Sequence, residues 1–215
     1  METSGVNNEW TQTSSKVFWG EIAPCDHVVQ IYENDEVFLE LLHGFVSSGL
    51  LVGDCVIVIA TTDHLNILNN KLQDTGFNLA MLKQDNQYLA LDAELLLSKF
   101  MVNDWPDENL FLHEITTLID FAKNDDRQVR AFGEMVALLW AKGQVGATVR
   151  LEQLWNKFCE TRAFCLFCAY PKNGFTQDAS ESLMHICSVH SKMISGQGGG
   201  KSELFYKNVN QQQVG

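Results

Sequence analysis

VRAFGEMVALLWAKGQVGATVRLEQLW, residues 129–155, is the stretch whose reading decides the fold. It reads as a buried strand that stops at Gly133 and Glu134, then a short apolar segment, a glycine-bearing turn and an amphipathic helix. In that helix Leu151, Leu154, Trp155 and Phe158 recur at helical spacing. Glu134 is the sharpest feature. A carboxylate directly after a core strand is either structural, capping the next helix or pairing with Arg130 or Arg150, or it is the polar floor of a ligand pocket.

Working outward, the same alternation of strand and helix repeats. HVVQIY (27–32) is a short apolar strand, and Asn34 or Asp35 caps a helix whose Phe38, Leu41, Leu42 and Phe45 share one face before Gly49 and Gly53 end it. CVIVIA (55–60) is an unbroken apolar run, the pattern of a strand covered on both faces, which points to parallel pairing. Thr61 to Asp63 cap a helix with Leu65, Leu68 and Leu72 on one side, closed by Gly76. Tyr88 to Leu91 is a further strand, Asp92 caps a helix running to Phe100, and Asp107 opens another through Phe111, Ile115, Leu118, Ile119 and Ala122. The segment 124–126 forms an exit loop, and a strand from Phe164 to Ala169 ends at Tyr170 and Pro171. A helix from Thr176 with Leu183, Ile186, Cys187, His190 and Ile194 on one face completes the pattern.

This order predicts an α/β fold, a mostly parallel open sheet with helices on both faces in three layers. Residues 1–23 read as a flexible N-terminal arm, 24–194 as the ordered domain and 195–215 as a flexible polar tail. Open parallel sheets bind ligands beyond the carboxyl ends of their strands. That rule selects Tyr32, Glu33, Thr61 to Asp63, Asp92, Gly133, Glu134 and Tyr170.

Fifteen basic against twenty-seven acidic side chains give a formal charge of −12, which argues against a nucleic-acid or anionic-membrane partner. The polar start METSGVNNEW lacks the apolar core of a signal peptide, and no apolar run is long enough to span a bilayer. A cytoplasmic protein with reduced thiols is the expectation. Cys165 and Cys168 make a CxxC, but within a strand their side chains point to opposite faces, so neither a metal nor a redox role is assigned.

Catalytic signatures are missing. There is no GxSxG and no HExxH. The tail GGGKS at 198–202 lacks the first glycine of a phosphate loop and the strand-to-helix context such a loop needs. The first-strand turn, Tyr32 to Glu36, carries three carboxylates and neither Gly nor Lys, which disfavours nucleotide hydrolysis. Of the histidines, His43, His64 and His113 read as helical and solvated. His185 and His190 are five apart and so face different sides of a helix. His27 and His190 are each either a hydrogen-bonded structural group or a ligand contact, because one opens a strand and the other interrupts an apolar stripe. Tyr32 and Tyr170 suit packing and a small-ligand pocket equally. No metal and no cofactor is expected.

Four segments together resemble the MEDS family, the sensory domain of the DcmR type: 27–61, 129–158 with its FGEM and RLEQLWN blocks, FCLFCAYP at 164–171 and ICSVHSKM at 186–193. The resemblance covers about residues 24–194. It implies a core similar to the RecA and KaiC ATPases with the phosphate loop lost, and a non-enzymatic domain that senses small hydrocarbon derivatives. It also implies a ligand-contact role for His27, Tyr32, Glu134 and His190, to which topology adds Tyr170. Family members commonly adjoin a histidine kinase or regulator, so the implied partners are a small organic ligand and such a signalling protein. A degenerate nucleotide binder and a ligand-free adaptor for a histidine kinase are the alternatives.

Overall fold

Strands that are apolar at every position can be stable only when both their faces are covered, and such strands occupy the middle of the sheet. The computed structural model of the protein describes residues 10–13, 19, 23, 25–123, 127–172, 186, 188–197 and 201–207. Its strands are β1 (Trp10–Thr13), β2 (His27–Tyr32), β3 (Cys55–Ala60), β4 (Tyr88–Asp92), β5 (Met101–Val102), β6 (Trp105–Pro106), β7 (Val129–Gly133), β8 (Cys165–Pro171), β9 (Lys192–Gln197) and β10 (Lys201–Lys207). The helices are α1 (Asp35–Val52), α2 (Thr62–Asp74), α3 (Leu79–Gln84), α4 (Ala93–Ser98), α5 (Glu108–Ala122), α6 (Met135–Ala141) and α7 (Val145–Thr161).

The main sheet runs β1-β10-β9-β2-β8-β7-β3-β4. From β9 to β4 all neighbours pair in parallel, while β10 and β1 are antiparallel additions at one edge. Every position of β3 and β7 is buried. Side-chain alternation sends Ile57, Ile59, Ala131, Leu166 and Cys168 to one face, where α4, α5, α6 and α7 cover them. Val56, Val58, Phe132, Cys165 and Phe167 go to the other face, under α1 and α2. The expected three-layer α/β architecture is therefore present, and the CxxC cysteines do lie on opposite faces.

Helix boundaries follow capping chemistry. The side chains of Asn34, Thr61, Asp92 and Asp107 each accept a hydrogen bond from a backbone N–H in the first turn of the helix they precede. Gly53, at φ 89°, ends α1 in the left-handed conformation open to glycine. Gly49 does not end that helix. It lies inside α1, where an added Cβ would come within 2.9 Å of Arg130 Cδ and Val56 Cγ2, so its role is close packing against the sheet.

Three expectations are corrected. The polar tail from residue 195 is not free of structure: β9 continues to Gln197 and Lys201–Lys207 form β10. The physical reason is backbone pairing, since β9 joins β2 in parallel with Val28 opposite Lys192 and supplies the edge on which β10 and then β1 pair. For the same reason the N-terminal arm contributes a strand. The last helix does not reach Ile194, because Ile186 and Ser188 are helical, the chain turns at Val189, and Ile194 is a strand residue. The expected start of that helix at Thr176, with Leu183, His185 and Cys187, the loop 124–126 and the glycines 198–200 lie outside the described residues. Among the described residues no helix is long and apolar enough to cross a membrane.

Candidate functional site

The five candidate residues separate into two places on opposite faces of the sheet. Tyr32 and Glu134 lie at the carboxyl edge on the α1/α2 side, and His27, Tyr170 and His190 meet on the α6/α7 side.

At the carboxyl edge the end of β7 places Glu134 beside the end of β3. The Glu134 backbone N–H donates to the Ile59 carbonyl at 2.8 Å, continuing the sheet ladder by one residue. Its side chain then turns to the first residues after β3. Oε2 accepts the Thr61 N–H at 2.8 Å and Oε1 lies 2.7 Å from His64 Nδ1. Glu134 is thus buried and paired, but the partner is His64 rather than Arg130 or Arg150. Arg130 is engaged by Asp54 at 2.5 Å and by the Trp19 carbonyl, and Arg150 by Glu108. Glu134 also makes no side-chain cap bond to α6. His64, read from sequence as solvated, has only 16% of its side chain exposed. The hydrogen bond that His64 donates to Glu134 raises its pKa above the usual histidine value, against the opposing effect of burial, with the carboxylates of Glu134, Asp35 and Asp63 adding to the rise. Phe38 packs edge-on to His64 and stacks under Tyr32 with ring centroids 4.9 Å apart. Burial, then Glu134 and Asp35, push the Tyr32 phenol up, so it stays protonated.

Two residues back along β2, on the Tyr32 face, Gln30 is fully buried and neither amide atom has a hydrogen-bond partner among the described residues. Such a group costs folding free energy unless something polar meets it. Sequence reasoning passed over Gln30, although a lone amide within an apolar strand was the signal.

On the other face, Tyr170 donates a 2.5 Å hydrogen bond to Glu152 Oε1. Glu152 comes from α7, one residue after Leu151, and is almost completely buried. Its Oε2 has no hydrogen-bond partner among the described residues and lies 3.6 Å from His27 Nε2 and 3.7 Å from His190 Nε2. Cys168 Sγ lies 3.5 Å from His27 Nε2, and the two imidazole centroids are 3.9 Å apart. His190 is oriented by a 2.6 Å contact from Nδ1 to the Ile186 carbonyl. Burial holds Glu152 up at about 8 against the lowering effect of the Tyr170 bond. Burial, followed by the neighbouring His190, pushes His27 well below the usual histidine value. Glu152 was not singled out from sequence, and Cys168 was weighed only as half of the Cys165–Cys168 CxxC and given no metal role. Glu152 shares a helical face with Trp155 and Cys159 (i, i+3, i+7), which was the available sign that it points inward.

A surface groove of about 360 Å³ bordered by Glu94, Met101, Leu139 and Lys142 touches none of the five candidates.

Comparison with known proteins follows the geometry. The family described as MEDS, the methanogen/methylotroph DcmR sensory domain, matches residues 26–191. None of the curated proteins matches the chain. Among solved structures, a KaiC-like protein from the hyperthermophilic archaeon Pyrococcus horikoshii OT3 is similar over 87% of this chain and 82% of its own, with 8% identity and a TM-score of 0.54. A structural-study target from the same organism is similar over 81% of this chain and 83% of its own, with 12% identity and a TM-score of 0.51. At such identities the likeness is one of fold, the RecA/KaiC type.

Proposed function

The chain belongs to the MEDS family, and on that premise we propose that it is a non-enzymatic sensory domain that binds a small organic molecule at the carboxyl edge of the sheet and signals to a partner protein. The observation that carries the ligand reading is the set Gln30, Tyr32, His64 and Glu134. An amide that is buried and has no partner among the described residues lies on the same face as a protonated phenol, and at the strand ends beyond it an acid is held by a histidine. A molecule with a hydroxyl, carbonyl or amide head fits such donors and acceptors. A polyphosphate does not, because Glu33, Asp35, Glu36, Asp63 and Asp92 crowd the same edge.

Signalling on this reading uses the bond between Glu134 and His64. Glu134 closes β7 and His64 opens α2, so a ligand that takes one of these partners alters how α2 sits on the sheet. A thermal-shift screen against small alcohols, halocarbons and organic acids tests the site, since binding to the folded state raises Tm by mass action. At least one compound raises Tm in the native protein, and Gln30→Leu and Glu134→Gln each remove that shift. A panel with no effect, or shifts that survive both substitutions, refutes the site. A saturable response to ATP with magnesium instead favours a degenerate nucleotide binder.

A further inference from the structure

We propose that His27, Glu152, Cys168 and His190 form a tetrahedral binding site for a divalent transition-metal ion of the zinc type, buried between the sheet and α7. This goes beyond the ligand site above, which lies on the opposite face of the sheet and shares no residue with it.

Four observations converge. One donor atom from each of the four residues lies within 4.8 Å of the other three, and all four residues are buried. The separations match a coordination shell. Metal–nitrogen and metal–oxygen bonds near 2.0–2.2 Å and a metal–sulfur bond near 2.3 Å require tetrahedral edges of roughly 3.3–3.6 Å. Of the six edges, three are 3.5 Å from Cys168 Sγ to His27 Nε2, 3.6 Å from His27 Nε2 to Glu152 Oε2 and 3.7 Å, slightly long, from His190 Nε2 to Glu152 Oε2, and all six are within 4.8 Å. The two N···O separations lie beyond the limit of useful hydrogen bonds and the S···N separation is a sulfur contact, and all three suit ligands around a common centre.

Two of the four ligands are already held by outer-shell hydrogen bonds. The Ile186 carbonyl accepts from His190 Nδ1 and so leaves Nε2 as a lone pair directed at the cluster. The Tyr170 hydroxyl holds Glu152 Oε1, leaving Oε2 as the free donor. Charge is the fourth point. A thiolate, a carboxylate and two neutral imidazoles around a divalent ion sum to zero, so metal removes the cost of a buried acid that otherwise has no counter-charge. Two ionisable protons, from Cys168 and Glu152, leave as the metal enters.

The position has a structural consequence. His27 opens β2, Cys168 lies in β8, Glu152 is on α7 and His190 lies two residues before β9. A bound ion therefore ties the segment that enters β9 to the body of the domain.

The test uses the full chain produced in cobalt-supplemented medium, because tetrahedral cobalt with a thiolate ligand has intense visible bands and a sulfur-to-cobalt charge-transfer band. The proposal expects one cobalt per folded chain and a charge-transfer band that falls at least tenfold in Cys168→Ser. The band is unchanged in Cys165→Ser, whose side chain lies on the other face of the sheet. His190→Gln shifts the visible bands without removing the sulfur band, which covers the case in which Cys168→Ser does not fold. Folded native protein without stoichiometric cobalt or zinc overturns the site, as does a charge-transfer band that survives Cys168→Ser or disappears in Cys165→Ser.

Discussion

Two acid–histidine groups sit on opposite faces of one sheet and behave in opposite ways. At the carboxyl edge Glu134 and His64 approach to 2.7 Å, and His64 is driven toward its charged form. In the interior Glu152 stands 3.6–3.7 Å from two imidazoles, burial raises it to about 8, and His27 is driven toward its neutral form. The residue types are the same. The difference is desolvation: near the surface a short hydrogen bond to a carboxylate outweighs it, whereas in the core the loss of water dominates and charge is expelled unless a counter-ion enters.

The comparison breaks most visibly if the interior group loses its anchor. Tyr170→Ala removes a buried ring packed against Trp140 together with the hydrogen bond to Glu152. Chemical denaturation should show a loss of about 3–5 kcal/mol. At the edge, Glu134→Ala strands the Thr61 N–H and His64, and the same measurement should show a smaller loss of about 2 kcal/mol. Equal losses at the two sites would contradict the contrast in burial.

Acidity sharpens it further. Glu152 has a folded-state pKa of about 8, above its unfolded value near 4.5, so the metal-free folded protein binds a proton that the unfolded chain releases. Its favourable contribution is complete below about pH 4.5 and is lost as pH rises toward 8. In chelator-stripped protein Glu152→Gln should flatten stability across that window. His64 also has a raised folded value, so the stability it adds is complete below pH 6.5 and fades as pH climbs through the raised value. The smallest effect expected is therefore that of His64→Gln, a modest flattening above pH 6.5 with no change in the Glu152 slope. An unaltered profile in both variants would remove the electrostatic distinction between the faces.

The chain disclosed its layers readily. CVIVIA could be satisfied only between two helical layers, and the helical spacing of Phe38, Leu42 and Phe45 and of Leu151, Leu154 and Trp155 named the faces that cover it. The position of Glu134 just past a core strand was equally legible, because strand ends are set by local pattern. His64 was harder. It lies in the first turn of a helix with polar neighbours, and nothing local says that the carboxylate of a residue 70 positions away will reach it. Cys168 was read as an ordinary core thiol for the same reason. β9 and β10 were obscured by composition: Gly196 and the polar residues of 195–197 and 201–207 look like a linker, and they form strands because β2 and β9 offer backbone partners.

By itself the sequence determined the alternation of strand and helix, parallel pairing and the lack of a phosphate-loop pattern at residues 32–36, since each follows from the spacing of apolar residues or the residue types of one short turn. Only the tertiary structure decided which polar side chains meet. His27, Glu152, Cys168 and His190 come from β2, α7, β8 and the approach to β9, and parallel crossovers bring them within 4.8 Å across more than 160 residues of chain. Local periodicity reports which face a residue takes, whereas the neighbour it finds there depends on strand order, and strand order is fixed by how all the layers pack at once.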